Sequence, residues 1–169
     1  MAVKMEYCMQ CGTKLTPRFL ESENREIPYC PKCGDYRFPV FNTAVSMIVM
    51  NEEKDKILLI RQYGRDSFIL VAGYVNQGED AENAVRREVR EEMGLDVRTL
   101  HFNRSRYFAP SNTLMLNFTV TVSGTPHPNE EIDSYQIFTI DEARKNIRRP
   151  SLAQQFLDGY LSGKYEFDE

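Results

Sequence analysis

The chain has 169 residues, of which 41% are hydrophobic and 27% charged, and its formal net charge is −4. This length allows one sizeable core and a small appendage, and no apolar run approaches the roughly 18 residues of a membrane span, so membrane contact is not expected. The start, MAVKMEYCMQ, lacks the apolar segment of a secretory signal, and the acidic balance gives no general reason to expect nucleic-acid binding, so we expect a cytoplasmic protein.

The first predicted element is a metal site formed by four cysteines. They stand in two CxxC pairs separated by eighteen residues, Cys8 with Cys11 and Cys30 with Cys33. A glycine after each pair lets the backbone bend its amides toward sulfur, which suits a tetrahedral four-cysteine Zn²⁺ site. Two disulfides, or a redox CxxC, are the alternatives; the first is rare in cytosolic proteins and the second does not normally occur twice. We predict a structural zinc ribbon at residues 1–40, which is too short to build a core without the metal.

The charge of this ribbon bears on its partners, because a nucleic-acid-binding module needs a basic surface. Residues 1–40 contain six basic and five acidic side chains. A zinc tetrathiolate adds about −2, so the ribbon is close to neutral. Packing or dimerisation is therefore the expected role of the ribbon.

From residue 41 onward the pattern changes to strands on either side of one helix. Strands are predicted at 41–50, 56–63, 68–75, 97–108, 113–122 and 134–140, a hairpin turn at 51–55, and helices at 81–93, 141–147 and 151–161. Strands before and after a central helix favour an α/β domain at residues 41–169, with a mixed sheet covered by helices on both faces.

The central helix, AENAVRREVREEM, carries glutamates where apolar side chains are expected. Asp80 is a suitable N-cap, and Gly94 stands where a left-handed C-terminal cap is expected. At about 100° per residue, Glu88 and Glu92 fall within the apolar arc and Glu91 falls at its edge. The helix is therefore expected to direct three carboxylates at the protein body.

These carboxylates need a positive charge beside them, since like charges 4 Å apart repel by about 4 kcal/mol at an effective dielectric near 20. Arg87 is expected to flank them and to pair with Glu79, but one guanidinium cannot neutralise three carboxylates. Mg²⁺, which binds one or two carboxylates together with substrate phosphates, can do so. The alternative is a charged surface helix with accidental phasing. In the preceding loop, Gly73 permits close backbone approach, so that its carbonyl can join the metal ligands.

The segment GYVNQGEDAENAVRREVREEMGL, residues 73–95, resembles the Nudix box at every specified position. Those positions are Gly73, Glu79, Arg87, Glu88, Val89, Glu91, Glu92, Gly94 and Leu95. The resemblance implies an α/β/α sandwich and the hydrolysis of a nucleoside diphosphate linked to another group, by water, with Mg²⁺ or Mn²⁺. It also implies metal ligation by Glu88, Glu91 and Glu92, an orienting role for Arg87 and Glu79, and a general base that is one of these glutamates or a glutamate from a later loop.

A four-cysteine ribbon directly before such a domain resembles the NADH pyrophosphatase group of this family. That group also has an aromatic residue after Ala-Gly, here Tyr74, and a PxxSIAxxLI segment that is similar to PSLAQQFL, with Ser151 and Ala153. The resemblance implies hydrolysis of NADH or a similar dinucleotide to two mononucleotides, with NAD-capped RNA as a possible second substrate and a homodimer as the assembly.

Two segments depart from the pattern of that group. SRYFAPSNTLM aligns with the marker SQPWPFPxSLM and keeps an aromatic at Phe108 but loses the prolines and the glutamine, which leaves nicotinamide specificity open. EIDSYQI aligns with ExxEARW, so Ser134 replaces the second acid. Glu131 is the first candidate to compensate, ahead of Glu130, and the alternative is a solvated turn acid.

Aromatic side chains suit a planar ligand because they stack on bases with little demand for hydrogen bonds. Tyr74 and Phe108 are the candidates, and the alternative is that either ring belongs to the core. His101 and His127 are expected to be a strand residue and a loop residue rather than catalysts.

The sequence thus predicts a metal-dependent diphosphatase acting on NADH or a similar dinucleotide. The alternatives are hydrolysis of ADP-ribose or another nucleoside diphosphate derivative, and a regulator that binds nucleotides without turnover.

Overall fold

The computed structural model describes residues 4–164 of the chain. These residues separate into two units: one comprises the chain up to Asn42 together with Ala109–Thr113, and the other comprises Thr43–Phe108 and the chain from Leu114 onward. The boundary predicted after residue 40 stays a prediction.

The first unit contains a three-stranded antiparallel sheet in the order β1-β2-β3. Its strands are β1 (Thr16–Leu20), β2 (Arg25–Cys30) and β3 (Asp35–Tyr36). Among residues 4–42 the buried side chains are those of Cys8, Ile27, Cys30 and Arg37. Two of these four are cysteines and one is charged, so the apolar core of this segment is very small.

The second unit is built on a six-stranded sheet in the order β7-β8-β4-β5-β9, with β6 paired to β4. Its elements are β4 (Asn42–Met50), β5 (Lys56–Gln62), β6 (Val71–Tyr74), α1 (Ala81–Met93), β7 (Asp96–Phe108), β8 (Thr113–Ser123), β9 (Ile132–Thr139), α2 (Ile140–Asn146) and α3 (Leu152–Ser162). Every predicted strand and helix is present, and the largest shift of an end is at β6, which begins at Val71 rather than at 68. No helix in residues 4–164 has both the length and the apolar character needed to cross a membrane.

The side chains of β4 and β5 alternate between two cores because neighbouring strand residues point to opposite faces of a sheet. Val45, Met47 and Val49 belong to the core under α1. Ile48 and Met50 belong to a second core, which is closed by α2 and α3. The predicted α/β/α sandwich is therefore confirmed.

Helix α1 has the predicted ends. Gly94 follows it with φ of 66°, and its N–H donates to the Arg90 carbonyl at 2.9 Å, as a left-handed cap requires. Asp80 occupies the N-cap position, as predicted, although its side chain makes no capping hydrogen bond. The carboxylate that accepts a backbone N–H in this loop is instead that of Glu79, which bonds to Asn76 N at 3.0 Å.

Candidate active site

Helix α1 directs two of its later glutamates at the sheet. Glu88 and Glu92 are 9% and 5% exposed, and they lie on the same face as the buried Val85 and Val89. The side chain of Glu91 is 57% exposed. The prediction of three inward carboxylates is thus correct for two and wrong for Glu91, whose position at the edge of the arc lets it reach water.

Arg87 binds acidic side chains of α1 and of the loop before it. Its Nε and Nη2 donate to both oxygens of Glu79, at 2.8 and 2.9 Å, which is the predicted pairing in its bidentate form. Its Nη1 donates to Glu88 Oε1 at 2.7 Å and to Glu91 Oε2 at 3.0 Å, and Nη2 also donates to the Tyr74 carbonyl at 2.9 Å. The Arg87 contact, with the Asn76 N–H, lowers the pKa of Glu79 to about 2.

Gly73 lies on β6, paired with Val45 of β4, directly against the Glu88 carboxylate. A Cβ at residue 73 would overlap the carboxyl carbon and both oxygens of Glu88. Glycine is therefore required here for space, and its absent side chain lets the strand backbone and this carboxylate lie side by side.

We expect Gly73→Ala to destabilise the protein by about 1–3 kcal/mol, the usual cost of overpacking a filled site. In a Glu88→Ala background the same change is expected to cost less than about 1 kcal/mol, because the overlapping carboxylate is gone and the two sites are coupled. Urea unfolding of the four members of this cycle measures both values. Additive losses would contradict the packing described for Gly73 and Glu88.

Glu92, unlike Glu88, makes no ion pair with any residue that the structure describes. Its Oε2 is buried and has no hydrogen-bond partner among the described residues. Burial, and then the charges of Glu88, Glu131 and Glu91, raise the pKa of Glu92 to about 8. Burial also raises the pKa of Glu88, although Arg87 opposes that shift.

A divalent cation fits this set of residues. The donors are carboxylate oxygens and a strand carbonyl, which are the hard ligands that Mg²⁺ and Mn²⁺ accept. The orphaned Glu92 Oε2 needs a partner that no described side chain supplies. The space beside Gly73 keeps the Glu88 carboxylate next to backbone. Glu88 and Glu92 are the buried carboxylates of α1, and Gly73 lies against Glu88.

The loop after β8 lies against the C-terminal end of α1. His127 N and Asn129 N donate to the carbonyls of Met93 and Glu92, at 2.8 and 3.0 Å. The Asn129 side chain in turn accepts from Glu131 N at 3.0 Å. These bonds place Glu131 beside Glu92, where its charge contributes to the raised pKa of Glu92. His127 is a loop residue as predicted, and His101 lies on β7.

Tyr63 is a residue at this site that the sequence reasoning missed. It follows β5 at the point where Gln62 pairs with Ile132, the residue after Glu131. Its φ is 58°, a conformation uncommon outside glycine that tends to occur at functional sites, and the residue is 70% exposed. Partial burial, followed by the charges of Glu131 and Glu92, raises its pKa. In the sequence, Tyr63 is an aromatic residue before Gly64 at the end of a predicted strand. Its position near Glu131 follows only from the pairing of β5 with β9.

The four residues predicted to bind the organic part of a substrate are distributed unevenly. Tyr74 is exposed, and its carbonyl bonds to Arg87, so it lies beside the carboxylates. Phe108 ends β7 with a partly exposed ring and is not a core residue. Ser151 caps α3, accepting from Gln154 N at 3.0 Å, and Ala153 packs in the core on the opposite sheet face from α1. The structure does not bring Ser151 and Ala153 to the carboxylates, and their roles stay predictions.

The four cysteines of the first unit come together. Their Sγ atoms all lie within 4.8 Å of one another, and none is in a disulfide. Gly12 and Gly34 both have φ of 70°, and their N–H groups close the two turns on the carbonyls of Cys8 and Cys30. Four free sulfurs gathered in this way fit a tetrahedral ion with soft ligands, as Zn²⁺ is. Arg37 lowers the pKa of Cys8 to about 6, which favours the thiolate that such an ion needs.

Comparisons with known proteins agree with this geometry. The model of the NUDIX domain family matches residues 40–158. Over 160 residues, or 92% of this chain, the sequence is 33% identical to "NAD-capped RNA hydrolase NudC" of Pseudomonas aeruginosa, of which the match covers 55%. Proteins of the same name from Stutzerimonas stutzeri and Deinococcus radiodurans are 34% and 31% identical, with 56% and 57% of their lengths covered. The chain thus spans about half the length of these curated relatives.

Solved structures show the same fold. A NUDIX hydrolase from Nitrosomonas europaea matches with a TM-score of 0.68 over 95% of each chain, at 20% identity. A MutT structure, from a comparison of the proteins of Aliivibrio salmonicida and Vibrio cholerae, matches with a TM-score of 0.63. The match covers 73% of this chain and 99% of that one, also at 20% identity. At such identities the likeness concerns the fold alone.

Proposed function

Since the chain belongs to the Nudix hydrolase family, we propose that it is a metal-dependent diphosphatase that cleaves the diphosphate of NADH or a similar dinucleotide into two mononucleotides. The observation that carries this proposal is the buried pair of Glu88, which lies against Gly73, and Glu92, one of whose oxygens has no partner within residues 4–164. A site that concentrates negative charge in this way suits a reaction in which a cation and a phosphate anhydride meet.

Glu88, Glu91, Glu92 and the Gly73 carbonyl would hold Mg²⁺ or Mn²⁺. When bound, such an ion neutralises the diphosphate and lowers the pKa of a coordinated water. Arg87 orients Glu88 and Glu91 by donating to both, and Glu79 fixes Arg87 through two parallel hydrogen bonds. The general base is a glutamate at this site; Glu131, on the loop bonded to the end of α1, is the candidate from outside the helix.

The organic part of the substrate is proposed to stack on exposed aromatic rings near the carboxylates. Tyr74 and Tyr63 are exposed, Tyr74 at the end of β6 and Tyr63 directly after β5, and Phe108 ends the edge strand β7. Stacking accepts any planar base, so these rings do not by themselves select nicotinamide. The preference for a nicotinamide dinucleotide is supported by the names of the relatives, which also make a capped RNA end a second candidate substrate.

In the first unit, we propose that the four cysteines bind structural Zn²⁺. The nearly neutral charge of the ribbon argues against a role in binding RNA. The homodimer and the cytoplasmic location inferred from the sequence stay predictions.

Product analysis tests the proposed substrate. With Mg²⁺ or Mn²⁺, NADH is expected to yield two mononucleotides in equal amounts, as measured by chromatography, and ADP-ribose is expected to react more slowly. A capped oligonucleotide and an uncapped one of the same sequence form the matched pair for RNA. Turnover of ADP-ribose without turnover of NADH would reject the preferred substrate, and binding of all four compounds without products would favour the nucleotide-binding regulator. Reactions in buffer freed of divalent ions serve as the control.

A further inference from the structure

The first unit buries one arginine beside its cysteine cluster. Arg37 is 8% exposed, and its Nε donates to Cys8 Sγ at 3.2 Å. The other nitrogens of the guanidinium are also bonded: Nη1 donates to Asp35 Oδ2 at 2.6 Å and to the Tyr36 carbonyl at 3.0 Å, and Nη2 donates to Gln10 Oε1 at 3.1 Å. The Arg37 backbone is fixed too, since its N–H donates to the Pro28 carbonyl at 2.7 Å.

This arrangement is not explained by folding alone. Arginine is almost never fully buried unless it is paired, and this small unit has little apolar core in which to place its stem. Asp35 is exposed and binds one end of the guanidinium, so it fixes the orientation that directs Nε at sulfur. The bonds that Arg37 donates to Asp35 and Gln10 therefore preorganise its Nε toward the sulfur of Cys8.

The four sulfurs do not receive equal contacts. In the described part of the chain, Cys11 bonds to the Thr13 hydroxyl and Cys30 accepts the Cys33 N–H, both neutral groups. Cys8 receives the one contact from a cation. A hydrogen bond from a charged donor is roughly twice as strong as a neutral one, so the electrostatic support of the cluster is concentrated on Cys8.

We propose that Arg37 is a positioning residue for the metal of the cysteine cluster: it orients the Cys8 thiolate and offsets part of the charge of four thiolates around one divalent ion. A four-thiolate site with Zn²⁺ carries about −2, and a buried cation within hydrogen-bond distance of one sulfur reduces the repulsion among the ligands. Partners of this kind typically contribute a factor of about 10–100 to metal affinity. The inference concerns the ribbon and does not depend on the proposed reaction.

Two variants of the 169-residue chain and one control test it. Arg37→Met keeps a long side chain but removes the charge and the hydrogen-bond donors. Arg37→Lys keeps the charge but loses the planar guanidinium that donates in several directions at once. Arg25→Met, on the same small sheet, removes an exposed arginine that forms an ion pair with Glu23 at 3.6 Å. Competition with a chelating dye is expected to show zinc affinity reduced about 10–100-fold in Arg37→Met, less in Arg37→Lys, and unchanged in Arg25→Met. Equal affinity of Arg37→Met and the parent protein would overturn the proposal.

Cobalt substitution separates this role from a merely structural one. A hydrogen bond to a thiolate stabilises its filled sulfur orbitals, so its loss is expected to move the sulfur-to-Co²⁺ charge-transfer band of Arg37→Met to lower energy, while the ligand-field bands of tetrahedral Co²⁺ keep their intensity. If Arg37→Met fails to bind Co²⁺, Arg37→Lys supplies the comparison, with a smaller shift in the same direction. Bands at the parent position in both variants would show that Arg37 does not act on sulfur.

Discussion

Replacing Glu92 with glutamine is expected to remove most turnover while leaving the fold in place, with kcat reduced by a factor on the order of 10³. Glutamine has the shape of glutamate, so packing in the core under α1 is preserved. What it lacks is the charge of the one buried carboxylate oxygen that has no partner among the described residues. If that oxygen is there to bind the catalytic ion, removing its charge removes the ion from the reacting geometry.

The same variant has an opposite effect on stability, and the sign follows from the pKa of Glu92. Burial raises this pKa from 4.5 to about 8, so between these values the folded protein binds more protons than the unfolded one. The free energy of unfolding of the metal-free protein is therefore expected to fall as pH rises through this range, by up to about 1.4 kcal/mol per pH unit from this group. Below pH 4.5 both states are protonated and the loss disappears. Glu92→Gln cannot ionise and is expected to lack this slope.

Urea unfolding at pH 5, 6.5 and 8 in metal-free buffer, with and without added Mg²⁺, measures this difference. The parent protein is expected to be less stable than Glu92→Gln at pH 8. Added Mg²⁺ is expected to raise the free energy of unfolding of the parent but not that of the variant. Glu82→Gln is the matched control, because Glu82 lies in the exposed first turn of the same helix. Unchanged turnover in Glu92→Gln, or parallel pH profiles of the two proteins, would remove the physical basis for a metal at this site.

Two inward glutamates could be located from the sequence because helix geometry is local. A period of 3.6 residues places Glu88 and Glu92 among valines whatever the rest of the chain does. Glu91 stands at the edge of the apolar arc, where the helical period alone does not decide between core and water, and its side chain is 57% exposed. The sharing of one Arg87 nitrogen between Glu88 and Glu91 is a side-chain contact that the period does not predict.

Contacts between distant segments account for the other differences. Tyr63 gains its place beside Glu131 through the pairing of β5 with β9, which brings together residues about 70 positions apart in the chain. In the sequence, Arg37 is one of six basic side chains in a nearly neutral segment. Its contact with Cys8, 29 residues earlier, is formed only by the fold. Composition and spacing carry no information about such contacts.

The second large effect is expected at the cysteine cluster, where removal of the metal should unfold the small sheet of the first unit. Among residues 4–42 the buried apolar side chains other than cysteine reduce to Ile27, and so few apolar groups cannot offset the chain entropy of about 40 ordered residues. Structural zinc contributes about 10–16 kcal/mol in small zinc modules, which is enough to decide whether such a segment folds.

Cys30→Ser tests this most directly, because Cys30 is fully buried, contacts Cys11 Sγ at 3.5 Å and accepts the Cys33 N–H. The variant is expected to lose bound zinc, measured by elemental analysis, and to lose amide-exchange protection along the β1–β2 ladder, which pairs residues 16–20 with residues 25–29. A strong chelator should give the same loss in the parent protein, and added Zn²⁺ should reverse it there but not in the variant. Protection that survives in zinc-free Cys30→Ser would mean that the sheet is held by its few apolar contacts and hydrogen bonds, and that the gathered sulfurs are not what folds it.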